Sequence, residues 1–270
     1  MPVILDCGVL RNDEVGDGIF LTRFHAPAIV NQCSPGQFVN IRTKDGFPPL
    51  LRRPFSICRI CREEGWFEIL YKVVGPGTIL LANLRPGETR SIIGPLGKGF
   101  RVPSENRQAI LVAGGIGVAP FPFLAEVLYA TGIEHVVLLG ARTARDLWGV
   151  ETFDKHARQV HVCTDDGSLG FRGTVVERLR RLLHEAGPAI DRFQVYGCGP
   201  EPMLQAMLDL GRATGVSMQI SVETMMGCGF GICMGCPMPR PKGEPAGPYK
   251  LACMDGPVFD ISEVEIQWQS

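Results

Sequence analysis

Residues 108–132 read QAILVAGGIGVAPFPFLAEVLYATG. The stretch opens apolar, turns glycine-rich at Gly114, Gly115 and Gly117, and continues apolar around Glu126. That order predicts a buried strand, a tight turn and a helix. The uncharged part, Gln108 to Ala125, is shorter than the ~20 residues a bilayer demands, and it holds Pro120 and Pro122, so it is read as no membrane span. The rhythm recurs downstream. HVVLLGAR (135–142), VHVCTDD (160–166), FQVYGCG (193–199) and MQISVE (218–223) are strand-like, and between them lie a short helix, TVVERLRRLLHEAG (174–187) and EPMLQAMLDLGRATG (201–215). Strands alternating with helices predict a parallel sheet with helices on both faces, the layout of nucleotide-binding domains.

Glycines at a strand-to-helix turn let a dinucleotide pyrophosphate approach the backbone, where the helix N-terminus offers unpaired N–H groups and a positive dipole end. The first turn is not a strict G-x-G-x-x-G, because Pro120 stands where the third glycine would fall. A second turn, Tyr196-Gly197-Cys198-Gly199-Pro200, also opens a helix. Two such turns at the strand ends of one sheet mark a ligand crevice. Gly114, Gly115, Gly117, Gly197, Cys198 and Gly199 are therefore candidate nucleotide-binding residues. Asp165, in Thr164-Asp165-Asp166-Gly167, is placed to accept hydrogen bonds from an adenosine ribose and to repel a 2′-phosphate, which favours NAD(H) over NADP(H). Arg142 and Arg172 argue the other way, and an ordinary Asp-Gly turn is the alternative.

Upstream, residues 3 to 103 carry short alternating runs (FVNIRT, PFSICRI, WFEILYKVV, TRSIIGPLG) cut by Pro-Gly pairs at 35/36, 76/77 and 86/87. These predict an antiparallel barrel or sandwich. One helix is expected inside it, Thr78 to Leu84, with Thr78 as N-cap. Arg53-Pro54-Phe55-Ser56 supplies a fixed cation and a hydroxyl, and Gly75-Pro76-Gly77-Thr78 leads into that helix. Both suit a pyrophosphate, although in isolation a surface arginine beside a routine turn is the favoured reading. A net charge of −1, from 27 basic and 28 acidic residues, offers no surplus to neutralise nucleic acid. The N-terminus reaches Asp6 and Arg11 too early for a signal peptide, so a cytoplasmic location is expected.

Ten cysteines in such a chain are not expected to form disulfides. Six are scattered, whereas Cys228, Cys233, Cys236 and Cys253 crowd the C-terminal part. The spacing C-x4-C-x2-C followed by a distant cysteine matches plant-type [2Fe-2S] proteins, with Gly227, Gly229, Gly231 and Gly235 aiming N–H groups at sulfur. Structural zinc, the alternative, prefers two C-x2-C-like pairs. After Cys253, the alternating VFDISEVEIQW (258–268) reads as a strand. The whole is an α+β multidomain chain: a β-barrel at 1–103, an α/β domain at 104–223 and a cysteine segment at 224–270.

The combination of R-P-F-S at 53–56, G-P-G-T at 75–78, G-P-L-G at 94–97, G-G-I-G-V-A-P at 114–120 and Y-G-C-G-P at 196–200 resembles the ferredoxin-NADP reductase superfamily. With the four-cysteine segment and C-M-D-G-P-V-F at 253–259, the chain resembles over nearly its whole length the electron-transfer subunits of NAD-dependent (type B) dihydroorotate dehydrogenases. The resemblance implies FAD against Arg53, Pro54, Phe55, Ser56, Leu70, Tyr71, Lys72, Gly77 and Thr78. It also implies a [2Fe-2S] cluster on Cys228, Cys233, Cys236 and Cys253. Ser56 would hydrogen-bond near the flavin N5, and Cys198 would lie where the nicotinamide arrives. No acid or base is needed for hydride transfer, and His25, His135, His156, His161 and His184 lie outside every motif.

No segment supplies the ~250 residues of a TIM barrel for dihydroorotate. The resemblance therefore implies an FMN-containing catalytic subunit as partner, in a heterotetramer of two copies of each, serving pyrimidine (UMP) biosynthesis. The loop Met234 to Pro248, poor in large apolar residues, is expected to gain order on that partner. Two other readings share these features: the flavin and iron-sulfur subunit of a ferredoxin-NADP oxidoreductase or sulfide dehydrogenase, and a zinc-binding regulatory module.

Overall fold

The computed structural model describes residues 1–103, 107–243 and 247–266. Strands β1 (Val3–Gly16), β2 (Ile19–His25), β3 (Phe38–Ile41), β4 (Arg53–Cys61), β5 (Trp66–Lys72) and β6 (Thr89–Leu96) close an antiparallel barrel in the order β1-β2-β5-β4-β3-β6. Of the two architectures expected, the barrel is the one formed. Its interior takes one face of each strand: Val9, Phe24, Val39, Ile41, Ile57, Phe67, Ile69 and Ile92 pack together.

Two short helices border the barrel, α1 (Pro27–Val30) and α2 (Pro76–Ala82). The sequence reading missed α1 and started α2 too late. The N-cap of α2 is Gly75, Pro76 occupies the first turn, and Thr78 is the third helical residue. Pro76 suits that position because its ring fixes a helical φ and no N–H is needed there. The Thr78 hydroxyl reaches back to accept the N–H groups of Val74 and Gly75 at 3.0 and 3.1 Å, so it braces the turn from inside the helix.

The second unit is a seven-stranded sheet. Six of its strands are β7 (Gln108–Gly114), β8 (His135–Ala141), β9 (Gln159–Thr164), β10 (Phe171–Arg172), β11 (Phe193–Cys198) and β12 (Ser217–Ser221). Helices α3 (Phe121–Ala130), α4 (Val150–Phe153), α5 (Val175–Ala186) and α6 (Glu201–Thr214) connect them. Strand β7 shows why both faces are covered. Ile110 and Val112 pack with residues of α5 and α6, while Ala109, Leu111 and Ala113 pack with those of α3 and α4. All five expected strands are parallel neighbours, and chain order reverses beside β7, between β8 and β11.

The cysteine segment contributes a small hairpin, β13 (Pro237–Pro239) and β14 (Tyr249–Leu251), and a last strand, β15 (Val258–Asp260), which joins the large sheet antiparallel to β12. The strand expected over 258–268 is thus three residues long. It stops because the Asp260 carboxylate accepts both the N–H and the hydroxyl of Ser262, while Glu263 accepts the N–H of Asp260. Such side-chain bonds close a turn that a ladder cannot pass. The end of that expected strand, residues 267 and 268, and residues 244–246 of the loop Met234–Pro248 lie outside the described residues.

Candidate functional site

Barrel and sheet meet along a seam with two adjoining cavities. The first, about 360 Å³, has Arg53, Pro54, Phe55 and Ser56 of β4, Leu70, Tyr71 and Lys72 of β5, and Thr78 of α2 along its barrel wall. Its opposite wall includes Ile116, Ala119, Cys198, Ser221, Glu223, Thr224 and Met226. Gly77 stands behind the lining: a Cβ there would sit 3.1 Å from Arg53 Nε. Its bareness lets the guanidinium lie across the start of α2, where cation and helix N-terminus face the same space. Phe55 and Tyr71 meet at 5.4 Å between ring centres and line one apolar corner.

The second cavity, about 470 Å³, opens at the C-terminal ends of the sheet strands and is lined by Gly114, Gly115, Arg142, Asp146, Asp165, Thr174 and Met203, among others. Lys72 and Ile116 line both cavities. Lys72 Nζ is 3.4 Å from Asp146 Oδ1 and so ties the barrel to the nucleotide-type sheet where the cavities join. Asp146 is held below the usual carboxylate range: burial opposes this, but bonds from Thr143 and Lys72 outweigh it.

The glycines serve more than one role. Gly114 and Gly115 border the second cavity, Gly114, Gly117 and Gly199 let the two turns touch, and Gly197 makes room for Met207 of α6. A Cβ on Gly117 would lie 2.4 Å from the Cys198 carbonyl oxygen, one on Gly197 2.5 Å from Met207 Cε, and one on Gly199 2.8 Å from Met203 Sδ. Cys198 closes the far wall of the first cavity. Burial, then the neighbouring Glu223 charge, pushes its thiol far above the ordinary value, so it stays neutral.

Sequence reasoning missed Glu223, Asp146 and Thr174. Glu223 reaches solvent, yet the protein crowded around it raises its carboxyl above 4.5. Its signal was position, just past the last parallel strand. Thr174 was legible as a capping box with Glu177, and its hydroxyl does accept the Glu177 N–H at 3.2 Å. None of the five histidines lines either cavity.

Thr224 and Met226 of the first cavity wall lead within two residues to Cys228. The four clustered cysteines stand as two pairs. Cys228 Sγ accepts N–H groups of Phe230 and Cys233 at 3.4 and 3.5 Å, and Cys233 Sγ that of Gly235 at 3.4 Å. Cys236 and Cys253, both buried, bring their sulfurs to 3.2 Å. Burial raises the Cys228 thiol, but the N–H groups of Cys233 and Phe230 more than reverse this and lower it to about 6. Burial and Cys236 push Cys253 up to about 12. Met234, between two of the cysteines, has φ 56, a left-handed conformation that non-glycine residues adopt at a cost. All ten cysteines are free. Two pairs of free cysteine sulfurs, one pair aimed at by backbone N–H groups and the other buried, are a donor set that fits a two-iron cluster.

Residues 223–265 match the model of the iron-sulfur cluster binding domain of dihydroorotate dehydrogenase B, and residues 111–209 that of the oxidoreductase NAD-binding domain. The chain is 37% identical over 266 residues to a Fusobacterium nucleatum protein, covering 98% of this chain and 99% of that one. The relative is named dihydroorotate dehydrogenase B (NAD(+)), electron transfer subunit. A Geobacillus kaustophilus protein of the same name is 42% identical over 234 residues, 85% of this chain and 86% of its own. Among solved structures, that of an NADH-dependent reduced ferredoxin-NADP oxidoreductase is similar, with TM-score 0.81 and 30% identity over 96% of this chain and 90% of that one. A Neisseria gonorrhoeae ferredoxin NADP+ reductase with FAD and NADP bound shares the fold at TM-score 0.67 and 15% identity, over 81% of this chain and 99% of that one.

Proposed function

The chain belongs to the family of dihydroorotate dehydrogenase B electron-transfer subunits, and on that premise we propose that FAD occupies the barrel-side cavity, NAD(H) the strand-end cavity, and a [2Fe-2S] cluster Cys228, Cys233, Cys236 and Cys253. The chain is an oxidoreductase subunit that carries electrons in pyrimidine biosynthesis, with FAD, NAD and an iron-sulfur cluster as its cofactors. A flavin held there would supply hydride exchange with nicotinamide and single-electron exchange with a cluster.

The observation that carries this reading is continuity. Lys72 and Ile116 wall both cavities, and the flavin-side wall runs through Thr224 and Met226 directly into the cysteine loop. Arg53 and the start of α2 hold the flavin pyrophosphate by charge and N–H groups, and Ser56 offers its hydroxyl near the reacting ring. Gly114 and Gly115 admit the nicotinamide nucleotide. Gly114, Gly117 and Gly199 hold the two turns together, so that Cys198, small and uncharged, would back the meeting place of the rings and keep water out. Asp165 accepts from the ribose. Backbone N–H groups of the cysteine loop stabilise thiolates over thiols.

The partner is a catalytic subunit, which we take to carry FMN and to assemble two-plus-two with this chain. Its docking face is the cysteine segment, where Cys233, Met225, Ile232, Met234 and Met254 are exposed together. Free cysteines throughout support a cytoplasmic location. No helix among the described residues is long and apolar enough to cross a membrane.

Likeness to the ferredoxin-NADP oxidoreductase structure supports a second reading, with a ferredoxin-type partner. The higher identity to the dihydroorotate relatives and a ligand set of four cysteines favour the first. Purification from the native cell, with cofactor and activity analysis, separates them. The expected result is an FMN-containing partner and dihydroorotate-to-NAD+ electron transfer. An assembly that oxidises ferredoxin and not dihydroorotate overturns the reading.

A further inference from the structure

Strand β3 stands between the two proposed redox sites. Its side chains alternate: Val39 and Ile41 enter the barrel core, while Phe38 packs on the other side in the core that holds Cys236 and Cys253. Asn40 shares the Phe38 face. It is fully buried, and in the barrel it pairs with Pro54 of the strand carrying Arg53 and Ser56. Its amide Nδ2 donates to the Cys228 carbonyl at 2.9 Å, a contact between residues 188 apart in sequence. The next residue, Gly229, presses on the same group: with φ +85, a Cβ there would lie 2.7 Å from Asn40 Nδ2.

The other end of the amide is unsatisfied, since Asn40 Oδ1 is buried with no partner among the described residues. A buried orphan acceptor is costly, and an aliphatic residue of that size avoids it. What the aliphatic residue lacks is the donor. We infer that Asn40 is a positioning residue for the cluster: it fixes the Cys228–Gly229 peptide against the flavin-side barrel and thereby sets where the Cys228 sulfur stands. The inference rests on reading Cys228 as a cluster ligand. Asn40 touches the ligand's carbonyl and acts through it.

The test uses the whole chain with its cofactors. Asn40→Leu keeps the volume and discards the donor. Expected are unchanged FAD content, altered g values in the EPR spectrum of the reduced cluster, a shifted cluster midpoint potential, and loss of iron to a chelator about fivefold faster, the factor one hydrogen bond is worth. An unaltered spectrum and chelation rate overturn the inference. If Asn40→Leu also loses FAD, Asn40→Asp, of the same shape, decides: retained FAD with a displaced spectrum supports it, whereas an unchanged cluster, or FAD lost again, overturns it. Iron and sulfide analysis of the unsubstituted chain tests the ligand reading separately. A chain with no cluster sinks both, and a normal cluster beside an unaffected Asn40→Leu sinks this inference alone.

Discussion

Substituting Gly117 by alanine adds one methyl group at the point where the two glycine turns touch. That carbon would lie 2.4 Å from the Cys198 carbonyl oxygen, 2.6 Å from its carbonyl carbon and 2.6 Å from Gly199 Cα. All three are backbone atoms, so no rotamer change relieves the contact, and ordinary contact begins at 3.4 Å. The turns must part by about 1 Å, the difference between 3.4 and 2.4 Å. Overpacking of this kind costs ~2–3 kcal/mol, and in a chain this long that lowers Tm by roughly 4–12 °C. Because Cys198 backs the proposed ring meeting place, NADH-driven dye reduction should slow while FAD stays bound. Gly115→Ala is the control. Its φ is +54 and a Cβ meets nothing within 4 Å, so it costs ~1 kcal/mol of backbone strain and raises the NADH KM by intruding on the cavity. Thermal melts followed by flavin fluorescence, with steady-state kinetics, read both effects. A Gly117→Ala protein with native Tm and native NADH kinetics refutes the claim that the two turns are pressed together.

Cys236→Ser should abolish the cluster yet leave FAD bound and NADH-driven dye reduction intact, while transfer to the partner fails; a full complement of iron and sulfide in the variant contradicts the ligand assignment. The specificity constant should favour NADH over NADPH by about tenfold, equivalent to ~1.4 kcal/mol, through Asp165 in the strand-end cavity; a ratio below unity reverses that assignment. The raised Glu223 carboxyl means that its ionisation opposes folding. Stability therefore falls as pH rises from its ordinary value of 4.5 through the raised one, and Glu223→Gln removes that slope and gains stability at neutral pH. Identical stability profiles for the two proteins across that window rule the mechanism out.

Much of the fold was legible because two periodicities change sharply near residue 108, from strands joined by Pro-Gly turns to strands joined by helices. What escaped were features set by a few hydrogen bonds. Thr78 looked like a helix cap and proved to brace the turn from the third position, since Pro76 already starts the helix. The expected terminal strand ended at Asp260 because side-chain acceptors outcompete the ladder. The glycine motifs marked two strand-to-helix turns that the fold brings into contact, but sequence could not separate Gly115, which borders space, from Gly117, which borders a backbone. Asn40 was invisible, since only the fold brings β3 beneath the cysteine loop.

The central claim is that this chain carries electrons between a nicotinamide and an iron-sulfur cluster by way of a flavin. Anaerobic titration of the purified chain with NADH, followed by visible absorption and low-temperature EPR, tests it most directly. The account predicts bleaching of flavin bands and growth of a reduced [2Fe-2S] signal, with iron and acid-labile sulfide in equal amounts. A flavin that bleaches without any cluster signal, or a colourless protein containing zinc, contradicts it.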